Sequence, residues 1–388
     1  MSKSIDDAVK ERYSNAAKEY EKGLCCPVDY DPQYLKVIPQ EVLEIDYGCG
    51  DPLSAVKEGE IVLDLGSGGG KVAFIVSQIV GPKGKVIGVD INDEMLKLSR
   101  NATPIVADRI GYNNVEFRKG KIQDLQLDYE KLDSLLKTNP VKTSEDLENL
   151  TKKIEKLKKI EPLIEDNSID IVISNCVLNL VSTEDKEKLF KEIYRVLKPG
   201  GRAVISDIVS NNDVPIEMQQ DTELWSGCYS GAIREDRFLN AFANTNFYGI
   251  TLDKREETWT TIHDISFRSI TITAYKGKEG PCLDRKQSVI YRGPFKEVLD
   301  DDGHVFERGK KSRVCDKTYK IMKREPYKKF FDFVDPIDPV AIEDALPMQK
   351  GHAQELQSPG NDKLKSKNDE YILTSETVTS DCNSNCDC

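Results

Sequence analysis

The sequence predicts an α/β protein with a parallel sheet covered by helices on both faces, because short apolar runs alternate with helical segments from Glu60 onward. Two further features sharpen this reading. A Gly-rich loop, LGSGGGK, joins the first apolar run to a helix, and an aspartate, Asp90, closes the second run. Residues 1–58 form an N-terminal cap: a helix over about 5–22, the irregular stretch GLCCPVDYDP broken by two prolines, and the turn YGCGDP at 47–52. The run IVLDL is the first strand, VAFIVSQIV the following helix and KVIGVD the second strand, which together make a βαβ unit. DEMLKLSRNA is the next helix, with Asn92 or Asp93 placed to cap it, and VEFRKG is the third strand. IDIVISN at 169–175 and GRAVISDIV at 201–209 supply the fourth and fifth strands, a helix covers 234–243, and FRSITITAY at 267–275 completes the sheet.

The domain expected from this pattern spans 59–275. It carries a long Lys-, Glu-, Asp- and Leu-rich insertion at 124–167 that lacks glycine and reads as a solvated helical segment. A small α+β module follows at 276–340, with strand-like runs flanking the Asp-Gly turn of VLDDDGHVFERG. Residues 341–388 are polar, end in SDCNSNCDC, and are expected to be a flexible tail.

Charge and composition exclude several functions. The chain has 388 residues, with 55 basic against 67 acidic side chains and a net charge of −12, which disfavours nucleic acid and anionic membrane surfaces as partners. The N-terminus has no apolar leader, and no run approaches the ~20 apolar residues of a membrane span, so a cytosolic protein is expected. In that reducing compartment ten cysteines are not a disulfide framework; they are candidate ligands, nucleophiles or redox partners, or simply small buried hydrophobes. The three histidines, at 263, 304 and 352, are isolated, so a His-rich metal site is not expected and no permanent metal is predicted.

Two nucleotide-type readings of the loop compete. A dinucleotide site wants G-x-G-x-x-G, but Lys71 stands at the third glycine position. The alternative keeps Asp64, Gly66, Gly68 and Gly70 at alternate positions, with Ser67 between, and Asp90 and Ile91 at the end of the second strand to receive a ribose. This D-x-G-x-G-x-G form resembles the first motif of class I S-adenosylmethionine-dependent methyltransferases. That resemblance implies that Ile122, after the third strand, brackets the adenine and that Asn175, at the end of the fourth, also faces the cofactor.

Three lone cysteines surround this loop in turn-like segments: Cys49 in YGCG, Cys176 in SNCVLNL and Cys228 in WSGCYSG. Cys176 falls just past the carboxyl end of the fourth strand, the edge at which open α/β sheets bind ligands. With LDLGSGGGK, these segments resemble the signatures of the arsenite methyltransferase family over most of the chain. The resemblance implies that Cys176 and Cys228 hold trivalent arsenic, that Cys49 is a third thiol, and that Cys25 or Cys26 pairs with it during turnover. It further implies S-adenosylmethionine as methyl donor, arsenite or its thiol conjugates as substrate, and thioredoxin or glutathione as reductant. Soft thiolates suit such a thiophilic centre. Transfer to another thiophilic element or a small organic acceptor, and metalloid sequestration without catalysis, are the alternatives. Cys282 and Cys315 read as packed thiols or as product-handling groups; Cys382, Cys386 and Cys388 read as loose metalloid ligands or as part of an unstructured end.

Overall fold

The computed structural model describes residues 5–19, 21, 24, 28, 30–45 and 47–348. They divide into two compact units, one comprising Met1–Gly280 with Arg324–Tyr327, the other Pro281–Lys323 with the remainder from Lys328.

The first unit begins with helices α1 (Ile5–Ala16), α2 (Pro32–Leu35) and α3 (Gln40–Leu43), so the first helix is shorter than the 5–22 read from sequence. There follow β1 (Ile61–Leu65), α4 (Lys71–Val80), β2 (Lys85–Asp90), α5 (Asp93–Ile110) and β3 (Val115–Lys119). Asn92 is the cap of α5, its side chain accepting from Glu94 N and Met95 N. The insertion folds as α6 (Tyr129–Thr138) and α7 (Ser144–Ile160), neither of which buries a residue; α7 opens with a capping box between Thr143 and Asp146. The chain then runs through β4 (Ile169–Asn175), α8 (Lys186–Val196), β5 (Leu197–Ser210), α9 (Ile216–Gln219), α10 (Thr222–Ser226), β6 (Ile233–Arg234) and α11 (Glu235–Asn244). The antiparallel strands β7 (Tyr248–Arg255), β8 (Thr260–Ile262) and β9 (Ile265–Tyr275) end the unit's sheet.

The main path of the sheet is β3-β2-β1-β4-β5-β9-β7, parallel from β3 to β5, with β9 antiparallel to both β5 and β7. Chain order reverses between β1 and β4, and that switch point opens the crevice in which this sheet class binds ligands. Alternation along the strands sorts the core onto two faces. Leu63, Leu65, Ile87 and Val89 pack with α8 and α11. Val62, Val86, Ile171 and Ile173 pack with α4 and α5 and with Tyr30, Ile38 and Val42 of the N-terminal segment. Helices therefore cover both faces, as the sequence pattern requires. Among the described residues no helix is long and apolar enough to cross a membrane.

In the second unit β10 (Leu283–Asp284) precedes a three-stranded antiparallel sheet, ordered β14-β11-β15, made of β11 (Ser288–Tyr291), β14 (Lys311–Arg313) and β15 (Phe331–Val334). Between its strands, β12 (Glu297–Leu299) and β13 (Val305–Glu307) form a hairpin whose connection contains Asp302 and Gly303, and α12 (Asp316–Met322) buries Tyr319, Ile321 and Met322. Two sequence expectations are corrected here. Residues 324–327 return to the first unit, so the C-terminal module is not one continuous segment. The segment expected to be a flexible tail from 341 contributes β16 (Leu346–Pro347), which pairs with β10. Cys382, Cys386 and Cys388 lie outside the described residues.

Candidate active site

The turn from Gly66 to Gly70 carries the chain from the end of β1 into α4, and its first four residues form the floor of a cavity of about 490 Å³. That volume lies in the range of small-molecule sites. Of the positions expected to hold a cofactor, Asp64, Gly66, Ser67, Gly68, Asp90, Ile91, Ile122 and Asn175 all line it. Gly70 does not: its backbone is left-handed (φ 90°), and a Cβ there would sit 2.7 Å from Phe117 Cζ, so this glycine serves the packing of α4 onto the sheet.

Asp90 is held rigidly, its two carboxylate oxygens accepting from Gly68 N at 2.9 Å and Asn92 N at 2.8 Å. Asp64 contributes the opposite condition. Its Oδ2 and the Ser67 Oγ are buried without a hydrogen-bond partner, an arrangement that water-excluded polar groups rarely keep unless a ligand completes it. Burial, and then the charge of Asp90, push the Asp64 carboxyl up to about 7. An acidic pair, a Gly-lined floor and flanking apolar side chains suit a ligand such as S-adenosylmethionine, which carries a cationic amino group, a ribose and a flat base.

Sequence reasoning did not anticipate the wall formed by α1. Asp6, Asp7, Lys10 and Tyr13 line the cavity, and Asn92 Nδ2 donates to Lys10 O (3.2 Å) and Ser14 Oγ (3.0 Å). A polar helix more than fifty residues before the glycine loop gives no local sign that it will close over it.

The three thiols share one buried cluster, of which Cys176 reaches the cavity. Cys49, Cys176 and Cys228 are each at most 3% exposed and belong to one cluster with Ile208, Met218 and Phe267; Cys176 also lines the cavity. Local geometry explains why each sits in its motif. Gly48 and Gly50 allow the Cys49 loop to approach the sheet, since a Cβ on Gly48 would lie 2.6 Å from Asn175 Nδ2 and one on Gly50 2.7 Å from Ser206 Cβ. Asn175 then clamps the loop. Its Oδ1 accepts from Cys49 N (2.8 Å) and Gly50 N (3.1 Å), while its Nδ2 donates to Gly50 O (2.7 Å) and Tyr30 Oη (3.1 Å). The Asn175 amide is thus committed to positioning Cys49. Cys176 and Cys228 both adopt left-handed backbone, φ 60° and 68°, and the Cys228 thiol donates to Cys176 O at 3.2 Å. The Tyr13 hydroxyl of α1 stands 4.0 Å from Cys228 Sγ.

A carboxylate that sequence reasoning passed over completes the cluster. Asp207, fully buried in β5, brings an oxygen within 4.8 Å of both Cys49 Sγ and Cys176 Sγ, which is the one such grouping of three ligand atoms among the described residues. It accepts from Leu178 N (2.9 Å), Asn179 Nδ2 (2.8 Å) and Ile208 N (2.8 Å), and so ties the Cys176 loop to the strand. Burial, then the Cys228 thiol, push its carboxyl up to about 8. Nearby Lys186, buried beneath the Trp225 ring at 5.8 Å, is pushed down to about 8 by the same loss of solvent. Burial also holds the Cys49 thiol above its usual range. The only signal in the sequence was a single acidic residue inside the apolar run AVISDIV. Cys25 and Cys26, expected to take the redox role, lie outside the described residues.

Sheet order, glycine turn and acid-lined crevice together define a class I methyltransferase. A family model described as a methyltransferase domain matches residues 56–163 and 141–255, and one described as a domain of unknown function matches 278–367. The arsenite methyltransferase of Aquipseudomonas alcaligenes is 30% identical over 82% of this chain and 86% of its own length, and that of Mus musculus 27% identical over 84% and 78%. The crystal structure of an arsenic(III) S-adenosylmethionine methyltransferase from Chlamydomonas reinhardtii, 26% identical, covers 81% of this chain and 99% of its own, with a TM-score of 0.54. The chain belongs to the arsenite methyltransferase family.

Proposed function

We propose that this chain transfers a methyl group from S-adenosylmethionine to trivalent arsenic held by Cys176, Cys228 and Cys49. The observation that carries this reading is the burial of three sequence-distant thiols in one cluster, of which Cys176 opens onto the cofactor cavity. When bound, S-adenosylmethionine supplies an electrophilic methyl group on a sulfonium centre. Asp64 and Ser67 hold its amino-acid end, Asp90 its ribose, and Ile91 and Ile122 its base. The remaining steps belong to the thiols and their neighbours.

Thiolates prefer a soft centre such as As(III) to hard cations. Each S–As bond forms as an As–O bond breaks, and the thiol proton leaves with that oxygen as water, so the raised thiol of Cys49 does not bar loading. Arsenic bound through sulfur keeps its lone pair as a nucleophile, and no general base is needed for it. Catalysis then rests on proximity and orientation, an effect worth up to ~7–11 kcal/mol. Asn175 and Asp207 supply that orientation by fixing the loops of Cys49 and Cys176.

Methylation formally oxidises arsenic by two electrons. The thiolate of Cys25 or Cys26 attacks the Cys49 sulfur, the S–As bond of Cys49 breaks with its electron pair left on arsenic, and thioredoxin or glutathione reduces the resulting disulfide again. The ten cysteines, which suit a reducing compartment, support a cytosolic site of action. The test is to incubate the purified protein with arsenite, S-adenosylmethionine and a thiol reductant and to separate the arsenicals by chromatography. Wild type is expected to yield methylated arsenic, and Cys176→Ser and Cys228→Ser to lose it while still binding S-adenosylmethionine by calorimetry. A wild type without product, or variants with undiminished product, would overturn the reading.

A further inference from the structure

We propose that Cys282 and Cys315 of the second unit form a separate two-thiol site for trivalent arsenic that already carries one carbon substituent. The proposal rests on the methyl-transfer reading only in that such a species is the product of that chemistry. The two residues are 33 positions apart in sequence, and the fold brings them together. Cys315 immediately precedes α12, where its buried thiol accepts from Thr318 N at 3.4 Å and lies 3.2 Å from Thr318 Oγ1. Cys282 immediately precedes β10, and its carbonyl accepts from Met348 N at 2.7 Å.

Two ion pairs lock these segments side by side: Arg313 Nη2 to Asp284 Oδ2 at 2.6 Å, and Arg285 Nη1 to Asp316 Oδ1 at 3.0 Å. Cys282 lies two residues before Asp284 and Cys315 one residue before Asp316, so the paired segments bring the two cysteines to one place, near enough for Cys282 to bear on the Cys315 thiol. Neither cysteine is in a disulfide; Cys315 is buried and Cys282 half-exposed, so the pair has one anchored sulfur and one that a solute can reach. Packing alone explains a buried thiol such as Cys315. It does not explain a second, solvent-reachable thiol on a segment joined to the first by two ion pairs.

Valence then selects the ligand. Arsenite has three exchangeable oxygens, whereas a monomethylated trivalent arsenical, CH3As(OH)2, has two, so a pair of thiols satisfies it completely. In the exchange two S–H and two As–O bonds break, two S–As and two O–H bonds form, and two waters leave. Arsenic stays trivalent, and no oxidant or reductant is consumed. Because the ion pairs already hold the two segments together, the second bond closes without gathering distant parts of the chain. A dimethylated arsenical has one exchangeable ligand and cannot bridge the two.

The experiment uses the full reduced chain with monomethylarsonous acid as the probe, followed by alkylation in urea, which exposes every thiol not bonded to arsenic, and peptide mass spectrometry. The expected result is joint loss of alkylation at Cys282 and Cys315 and one CH3As group bridging their peptides. Dimethylarsinous acid is expected to produce no bridge. Cys282→Ser, which changes a half-exposed side chain, is expected to restore alkylation of Cys315 and to leave methylation of arsenite intact. Alkylation of both thiols undiminished by the probe, in protein that still methylates arsenite, would refute the two-thiol site and leave methyl transfer standing. A bridged pair in protein that makes no methylated product would refute methyl transfer alone.

Discussion

Asp64 keeps a buried carboxyl without a hydrogen-bond partner on one oxygen, and replacing it by asparagine has a consequence that follows from its surroundings. Its carboxyl rises from 3.8 to about 7, chiefly through burial and then through Asp90. An acid whose folded value lies above its unfolded one favours the folded state only while protonated, so stability falls as pH climbs from the lower value to the higher and levels off beyond it. Raising the pH from 5 to 8 crosses about two units of that window, and at 1.36 kcal/mol per unit this one group removes about 2.7 kcal/mol of folding free energy. Asparagine has no proton to lose in this range. Urea unfolding of cofactor-free wild type and Asp64→Asn at pH 5 and pH 8 isolates the effect, because every other titrating group is common to both. The difference in stability between the proteins should shift by about 2.7 kcal/mol in favour of the variant at pH 8. Equal pH dependence in the two would show that Asp64 is not desolvated, and its assignment to a cationic amino group would fall with it.

Asn175→Leu orphans two backbone N–H groups and a carbonyl in the Cys49 loop, each worth about 1–3 kcal/mol, so denaturant unfolding should register a loss of at least about 3 kcal/mol. Asp207→Asn removes a negative charge that raises the Cys49 thiol, although burial remains the larger cause. Because Asp207 itself ionises near 8, the difference opens only above that pH: thiolate absorbance in the variant should then develop at lower pH than in wild type. Coincident titrations would mean that the carboxylate does not act on the thiol cluster.

The cofactor crevice was legible because its determinants are local. Glycines follow a strand, an aspartate ends the next strand, and the parallel order of β1, β2 and β4 places both at the same edge. Cys176 was legible for the same reason, being one residue beyond β4. What the sequence withheld depends on long-range register. Gly70 reads like its neighbours in the loop, yet it meets Phe117 rather than the cavity because of how α4 settles on β3. Asn175, expected to face the cofactor, lines the cavity, but nothing in the sequence showed that its amide also holds Gly50, 125 positions earlier. Asp207 was hidden inside an apolar strand, since its meaning arises only when β4 and β5 pair and bring the Cys176 loop over it.

The left-handed backbone at Cys176 and Cys228 sets stability against chemistry at two single positions. An L-residue with a side chain gives up roughly 1–2 kcal/mol in that conformation, which glycine adopts freely. Selection for heat resistance alone would therefore drift toward glycine at 176 and 228, whereas selection on arsenic-containing medium would hold cysteine at both. A library randomised at these two codons and grown under each regime would separate what the fold prefers from what the reaction demands.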